Sequence, residues 1–199
     1  GCNPCSEILL RDREFCNLTE VVVRKEDTIE TLKEKVRLAT ILGTWQSTLT
    51  NFRYLSSEWK NNCEEERLLG VSLTGIMDND LMNGRKGKEV LASTLDSLRE
   101  VAVETNKEWA KRFKINQSAA ITCVKPSGTV SQLVDAASGI HARHAEYYIR
   151  TVRADIKDPL CKFMIDEGFP AEADVMKPEH TMVFSFPVHA PKGCVVRTE

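Results

Sequence analysis

The chain has 199 residues, of which 42% are hydrophobic and 28% charged, and its formal net charge at pH 7 is −2. This composition is typical of a globular protein with a sizeable core. The near balance of charge argues against a nucleic-acid-binding surface, because such a surface needs a basic field. The sequence has no apolar run of membrane-spanning length and no signal-peptide pattern, so neither a nucleic-acid nor a membrane partner is expected, and the predicted location is the cytoplasm.

The first stretch of the chain carries three reactive side chains at spacings of two, namely Asn3, Cys5 and Glu7. Pro4 biases Asn3 toward an extended or turn conformation. In an extended segment these three side chains would point to the same side. A carboxylate there can accept a hydroxyl proton, an amide can orient that hydroxyl, and sulfur can act as a nucleophile or in one-electron chemistry. The alternative is an ordinary turn with a buried, inert cysteine.

The chain contains seven cysteines, an odd number with no secretory signal, which predicts free thiols in a reducing compartment. Cys2 and Cys5 form a C-x-x-C pair, which fits either a redox pair or half of a zinc site. No second ligand pair completes a tetrahedral site, and the strand and helix of a thioredoxin-like context are missing. We therefore predict no metal site, and the role of Cys2 stays open.

The next elements alternate between strand and helix. The stretch Cys16–Arg24 is rich in β-branched residues and predicts a strand. Asp27 or Thr28 is the predicted N-cap of a helix that runs to about Leu42. The apolar positions of that helix recur at helical spacing and predict a face that packs on a sheet: Ile29, Leu32, Val36 and Ala39.

The same alternation continues through the middle of the chain. The polar stretch Ser57–Glu66 predicts a solvated helix face or a turn, and Leu68–Gly75 predicts a buried strand that ends in a glycine turn. Lys88–Lys114 is the longest predicted helix, with an apolar stripe, and Ala119–Val124 is a short apolar strand. The pattern indicates an α/β fold.

A turn of small residues follows, in the stretch KPSGTVSQLV at residues 125–134. A strand, a turn and a helical run leave backbone N–H groups unpaired at a helix start, where an anion is favoured. The predicted anion-binding residues are Ser127, Gly128, Thr129, Val130 and Ser131. This is not a Walker loop, because the glycine spacing differs and the lysine precedes the turn. The alternative is that Ser127 or Thr129 merely caps a helix.

The last third of the chain predicts a strand at Tyr147–Val152, a helix at Pro159–Glu167 and a strand at Thr181–Val188. His141 and His144 lie on a loop with no third ligand nearby in sequence. They are predicted to be polar loop residues or donors to a bound anion, and not metal ligands.

Several of these stretches resemble one enzyme family. NPCSEI followed by CNLTEV resembles the active-site loop and following strand of the ribonucleotide reductase catalytic subunit. KPSGTVS followed by SGIHARHAEYYIR resembles the substrate-phosphate loop of the same family, and RLLGVSLTGIMD resembles a strand of its B12-dependent members. The resemblance extends over nearly the whole chain and is strongest to the adenosylcobalamin-dependent, triphosphate-type enzymes.

The resemblance implies a fold and a role for each reactive residue. The fold would be a ten-stranded α/β barrel with a central active-site finger loop, of which residues 1–199 form one central fragment. Cys5 would be the thiyl radical that takes the 3′-hydrogen of the ribose, Glu7 would deprotonate the 3′-hydroxyl, and Asn3 would hydrogen-bond the sugar. Cys16 would be one half of the dithiol that reduces the 2′-carbon, with its partner upstream of Gly1.

The same resemblance implies adenosylcobalamin as the cofactor, with the radical supplied by homolysis of its cobalt–carbon bond. The implied partners are a ribonucleotide substrate, a thioredoxin-like dithiol reductant, and the N- and C-terminal parts of the same enzyme. Without those parts, this chain is expected to be inactive. Two alternatives are the large subunit of an iron-radical (class I) ribonucleotide reductase and a non-catalytic α/β phosphate-binding or thiol-binding module.

Overall fold

The structure, a computed structural model, describes residues 1–197 and divides into two compact units. The first unit comprises Gly1–Arg143 with Gly193–Val195, and the second consists mainly of His144–Lys192. Each unit contains its own small sheet. None of the helices that the structure describes is both long enough and apolar enough to cross a membrane.

The first unit is built on two parallel strands, β1 (Asn17–Val22) and β2 (Leu69–Thr74). Two parallel strands need a crossover connection between them, and here the helices α1 (Ile29–Gln46) and α2 (Ser57–Glu66) supply it. Both strands were predicted from the sequence, and both are confirmed with slightly shorter bounds. The predicted polar helix face is confirmed as α2.

Helix α1 begins as the sequence predicts. Thr28 is the N-cap, its hydroxyl accepting a hydrogen bond from Thr31 N at 3.4 Å, while Thr28 N donates to the Thr31 hydroxyl at 3.0 Å. This reciprocal capping satisfies donors that a helix start leaves unpaired. The helix continues to Gln46, one turn beyond Leu42. Thr40 and Thr44 are buried there, and their hydroxyls donate to backbone carbonyls one turn earlier.

The long helix α3 (Lys88–Phe113) packs against α1, and these two helices form the main core together with β1 and β2. Its predicted apolar stripe is only partly buried: Leu98 and Ala102 lie in the core, whereas Leu95 is 41% exposed. The core consists of apolar residues from β1 and β2, from α1 and α3, and from the segments just after β1 and just before α3: Val21, Val23, Leu32, Val36, Ala39, Val71, Met82, Leu98 and Ala102.

The predicted strand at Ala119–Val124 is wrong in its extent. The segment runs beside β2, but only Val71 and Thr122 form a β-bridge. Leu69 N donates to Ala120 O at 2.9 Å and Val71 N to Ile121 O at 2.8 Å. The two donors are two residues apart on β2, whereas their acceptors are adjacent residues. The regular hydrogen-bond pattern of paired strands is therefore interrupted. A single 3₁₀ turn (Ile76–Asp78) and the four-residue helix α4 (Val130–Leu133) complete this unit.

The second unit is an antiparallel sheet in the order β3 (Tyr147–Asp155), β5 (Thr181–His189), β4 (Ala171–Ala173), with one helix, α5 (Pro159–Asp166). The predicted helix and both long strands are confirmed. The strand β4 was not predicted, because three exposed residues carry no alternation. The α/β class is confirmed, whereas the described residues form two separate small sheets and a ten-stranded barrel stays a prediction.

Candidate active site

The first ten residues form a tight loop that is organised by Asn3. Ser6 N donates to Asn3 O at 2.9 Å, Asn3 N donates to Ile8 O at 3.2 Å, and Ile8 N donates to Asn3 Oδ1 at 3.1 Å. Asn3 is buried, and Ser6 adopts a left-handed conformation with φ of 61°. Of the two conformations expected around Pro4, extended or turn, the loop adopts the turn, because Asn3 takes three hydrogen bonds with the backbone that an extended chain cannot offer.

The turn still brings Asn3 and Glu7 into contact. Asn3 Nδ2 donates a hydrogen bond to Glu7 Oε1. The Glu7 side chain is 5% exposed, and its second oxygen, Oε2, is buried with no hydrogen-bond partner among the described residues. Oε2 is thus one of the Glu7 oxygens that remains open to a further hydrogen bond.

The carboxyl group of Glu7 is held in its ionised form. Burial raises the pKa of Glu7, but hydrogen bonds from its own backbone N–H and from Asn3, together with the charge of Lys125, lower it below its ordinary value. The Lys125 Nζ atom lies 3.7 Å from Glu7 Oε1. An ionised carboxylate with one free oxygen is the state that a general base requires.

Cys5 lies at the tip of the same loop. Its side chain is exposed, and its Sγ atom lies 3.7 Å from Lys125 Nζ. Lys125 thus contacts both the thiol and the carboxylate, and the loop meets the start of the KPSGTVS segment. The structure brings Asn3, Cys5 and Glu7 to one place, and Lys125 joins them there.

Two further thiols lie near this group. Cys16 precedes β1 and is half-buried, and burial together with the negative charge of Glu7 raises the pKa of its thiol. Burial, reinforced by the negative charge of Glu7 and by Cys16, raises the pKa of Cys123 to about 11. Both sulfurs are therefore protonated at neutral pH and stay poor nucleophiles.

Gly70 on β2 allows the loop to approach the sheet. A Cβ atom at Gly70 would lie 2.5 Å from Leu18 Cδ2, 2.9 Å from Ile8 Cδ1 and 3.1 Å from Cys123 Sγ. A Cβ at Gly70 would therefore require the ends of these side chains to shift. Ile8, from the loop formed by residues 1–10, lies directly over Gly70 on β2.

The predicted anion-binding residues form a turn that is only partly open. Ser127 and Ser131 are buried, and Ser131 N donates to Ser127 Oγ at 3.1 Å. The prediction of an unpaired Ser131 N–H is therefore wrong, because this N–H donates a hydrogen bond to the Ser127 hydroxyl. Gly128, Thr129 and Val130 are exposed. Helix α4 has four residues, too few for a helix dipole to hold an anion on its own.

A buried arginine fixes the far end of this segment. Arg143 donates from Nε and Nη2 to the two carboxylate oxygens of Asp78, each at 2.9 Å, and from Nη1 to Asp135 Oδ1 at 2.8 Å. Asp78 also accepts from Ala137 N at 2.9 Å. Burial lowers the pKa of Arg143, but the hydrogen bonds and charges of Asp78 and Asp135 raise it above the ordinary value. The network ties residues 135–143 to the end of β2.

Sequence reasoning missed both Lys125 and Arg143. Lys125 was used only to argue against a Walker loop, although a lysine directly before a turn of small residues is a signal in itself. Arg143 lies between His141 and His144, and no local pattern marks it as buried. His141 Nδ1 is 3.1 Å from Ser138 O, and no group of three or more potential metal ligands occurs in residues 1–197.

Comparison with known proteins gives one consistent result. No protein-family model matches the chain. An adenosylcobalamin-dependent ribonucleoside-triphosphate reductase of Lactobacillus gasseri is 31% identical over 96% of the chain, which covers 28% of that protein. A protein of the same name from Euglena gracilis is 30% identical over 100% of the chain and 26% of its own length.

The solved structure of a B12-dependent (class II) ribonucleotide reductase superposes with a TM-score of 0.78 at 26% identity, covering 98% of this chain and 30% of that one. The chain spans less than a third of the length of each relative that it matches. Similarity in both sequence and fold therefore extends over nearly all of the chain. Over nearly all of its length, the chain is similar to one segment of B12-dependent ribonucleotide reductases.

Proposed function

We propose that the protein is a ribonucleotide reductase that converts ribonucleotides to 2′-deoxyribonucleotides for DNA synthesis through a thiyl radical at Cys5. The observation that carries the proposal is the meeting of two distant motifs. Lys125, at the start of the KPSGTVS segment, lies 3.7 Å from the sulfur of Cys5 and 3.7 Å from the carboxylate of Glu7. A radical-bearing sulfur, a base and a phosphate-binding turn must share one substrate, so they must lie together.

Glu7 is the proposed general base. Its lowered pKa keeps it ionised, and its unpartnered Oε2 has the free lone pairs that a 3′-hydroxyl proton needs. Asn3 fixes the other oxygen of Glu7 and is the proposed hydrogen-bonding partner of the sugar. The thiyl radical at Cys5 removes the 3′-hydrogen atom while Glu7 takes the hydroxyl proton.

Cys16 is the proposed redox thiol. In the reductive step, Cys16 and a second cysteine together give up two electrons and two hydrogens. The 2′-hydroxyl leaves as water, the 2′-carbon is reduced, and a disulfide forms. A thioredoxin-like dithiol then reduces that disulfide by exchange. The half-buried position of Cys16 and its raised pKa support this role, since both keep the thiol protonated until it donates hydrogen.

The turn at residues 127–131 is the proposed site for the substrate phosphates. The exposed backbone N–H groups of Gly128, Thr129 and Val130 and the hydroxyl of Thr129 are available as donors. Ser127 and Ser131 support the turn from within, since each is buried and bonded to the other. The names of the relatives point to ribonucleoside triphosphates as substrates.

Adenosylcobalamin is the proposed cofactor, because the similar proteins are named as dependent on it. The residue that fits this group is Cys5, whose exposed sulfur at the loop tip is open to a radical source that approaches from outside the loop. When bound, the cofactor supplies the radical chemistry, and Cys5 receives it. The ten-stranded barrel, the finger-loop position of Cys5 and the cytoplasmic location belong to the same proposal.

The test is a pair of cysteine variants in the full-length protein. Cys5→Ser replaces the weak S–H bond by an O–H bond that does not yield a stable radical, so deoxyribonucleotide formation is expected to fall to background. Cys2→Ser, three residues earlier and also exposed, is expected to keep turnover and serves as the matched control. Product is measured with and without added adenosylcobalamin.

Other outcomes contradict the proposal in defined ways. Turnover that needs no adenosylcobalamin but requires a radical-generating second subunit identifies the iron-radical type. Nucleotide binding without product formation, unchanged in Cys5→Ser, identifies a binding module without radical chemistry.

A further inference from the structure

We infer that Lys125 is a positioning residue of this site, whose ammonium group contacts the Glu7 carboxylate and fixes it beside Cys5. The inference rests on the proposed function, because it concerns the base and the thiol of that reaction. It assigns to the lysine that opens the phosphate-binding turn a role toward the reacting groups, in addition to any contact with phosphate.

The contacts of Lys125 point inward to the loop. Its Nζ atom lies 3.7 Å from both Glu7 Oε1 and Cys5 Sγ, and its side chain is 22% exposed against 5% for Glu7. The groups that face the Glu7 carboxylate are the amide of Asn3, the ammonium of Lys125 and the thiols of Cys16 and Cys123. Lys125 is the cation in this set, so removing it leaves a buried carboxylate with neutral neighbours.

Two consequences follow from that arrangement. The positive charge favours the ionised form of Glu7 before a substrate hydroxyl arrives. Together with Asn3, it also occupies Oε1, which leaves the unpartnered Oε2 as the oxygen that accepts the proton. Lys125 is followed directly by Pro126 and Ser127, so the short segment proposed to bind phosphate also positions Glu7.

The kinetic test compares Lys125→Met with Lys125→Arg in the full-length enzyme. Lys125→Met removes the ammonium contact that positions Glu7 and keeps the side-chain length nearly constant. Because the base is then less well placed, kcat at neutral pH is expected to fall about tenfold while KM stays within about twofold. The pKa of Glu7 rises when the charge is lost, so the acid limb of the kcat profile moves to higher pH. Lys125→Arg keeps the charge and is expected to restore most of kcat and the position of that limb.

A change in KM without a change in kcat overturns the inference. If Lys125 acts on the substrate phosphates alone, KM rises in Lys125→Met, whereas kcat at saturation and its acid limb stay unchanged. Lys60→Met is the control, because Lys60 lies on α2, has a side chain that is 54% exposed and forms an ion pair with Glu64 at 3.9 Å.

A second test needs no turnover. In a Cys2→Ser background, Cys5 is labelled with two methanethiosulfonate reagents of similar size, an anionic sulfonatoethyl and a cationic trimethylammonioethyl compound. Each forms a mixed disulfide with Cys5 and releases methanesulfinate. A site that admits a nucleotide admits these smaller probes, and the ratio of their rates reports the local charge. The ratio of anionic to cationic labelling is expected to fall about tenfold in Lys125→Met and to be kept in Lys125→Arg.

The two tests separate the inference from the proposed function. If the full-length protein shows no reductase turnover but the labelling ratio falls, the function fails and the contact of Lys125 with Cys5 stands. If turnover is present and neither the ratio nor the acid limb moves in Lys125→Met, the inference is wrong and the proposed function is unaffected.

Discussion

The segment from residue 125 to residue 143 carries a cation at each end, and the two are held in opposite ways. Arg143 has a side chain that is 2% exposed, and it binds both oxygens of Asp78 at 2.9 Å. Lys125 has a side chain that is 22% exposed, and its two partners are each 3.7 Å away. One end is therefore a dry, bidentate ion pair and the other is a looser contact at the surface.

This difference separates structure from chemistry within one segment. A bidentate arginine–carboxylate pair fixes geometry, because its planar fork permits one arrangement. A lysine ammonium is a flexible point charge that can change partners as a substrate enters. The buried end thus anchors the backbone of the turn, while the open end faces Cys5 and Glu7, where charge must be redistributed during a reaction.

The largest effect is expected at the buried end. Arg143→Met leaves Asp78 buried without its cation, which typically costs about 3–5 kcal/mol. Because Asp78 also holds Ala137 N, protection of the backbone amides at residues 135–139 should be lost together with the pair. Hydrogen–deuterium exchange of peptides that span 125–143 in the full-length protein measures this local free energy of opening.

The control for this change is an exposed arginine in the same unit. Arg37 lies on α1 with a side chain that is 43% exposed and pairs with Glu34 at 3.3 Å. Arg37→Met is expected to change the free energy of unfolding by less than about 1 kcal/mol. Equal exchange in the two variants would contradict the assignment of Arg143 as the anchor.

A smaller effect is expected where the loop of residues 1–10 meets the sheet. Gly70→Ala places a methyl group within 3.1 Å of the side-chain ends of Leu18, Ile8 and Cys123, which must shift, so the expected cost is at the lower end of overpacking, about 1 kcal/mol. Since Ile8 belongs to the loop, exchange at residues 1–10 should rise more than exchange in α3. Gly43→Ala is the matched control, because a Cβ there meets its nearest atoms at an ordinary 3.5–3.6 Å and lies inside a helix, where alanine is favoured.

Local chemistry was predictable where one residue determines the outcome. The Thr28 cap, the Gly75 turn with φ of 79° and the proline start of α5 were all found in the sequence, because each depends on neighbours a few residues away. The structure places Asn3 in contact with Glu7 and puts Lys125 beside both Glu7 and Cys5, whereas the catalytic roles of these residues stay a prediction. Of the extended and turn conformations expected around Pro4, the hydrogen bonds of Asn3 select the turn.

Long-range features were not predictable in the same way. Arg143 and Asp78 are 65 residues apart in sequence, so no periodicity links them. Lys125 reaches Cys5 over 120 residues. The slipped pairing beside β2 depends on two segments whose register the apolar pattern does not fix. Physical contacts of this kind follow from the folded topology, which the sequence indicated only through resemblance to a family.

The smallest effect is expected for the stability change in Lys125→Met. Lys125 is 22% exposed and its ammonium lies 3.7 Å from the buried Glu7 carboxylate, so its removal should change the free energy of unfolding by about 1 kcal/mol at pH 7, below the effect of Arg143→Met. The folded-state pKa of Glu7 lies below its ordinary value of 4.5, so the stabilisation is present above that value and is lost as the pH falls through the folded-state pKa. The acid unfolding curves of the unsubstituted protein and of Lys125→Met should therefore converge at low pH and separate toward neutral pH. A gap that stays constant across this range would mean that Lys125 contributes through packing alone and not through the charge on Glu7.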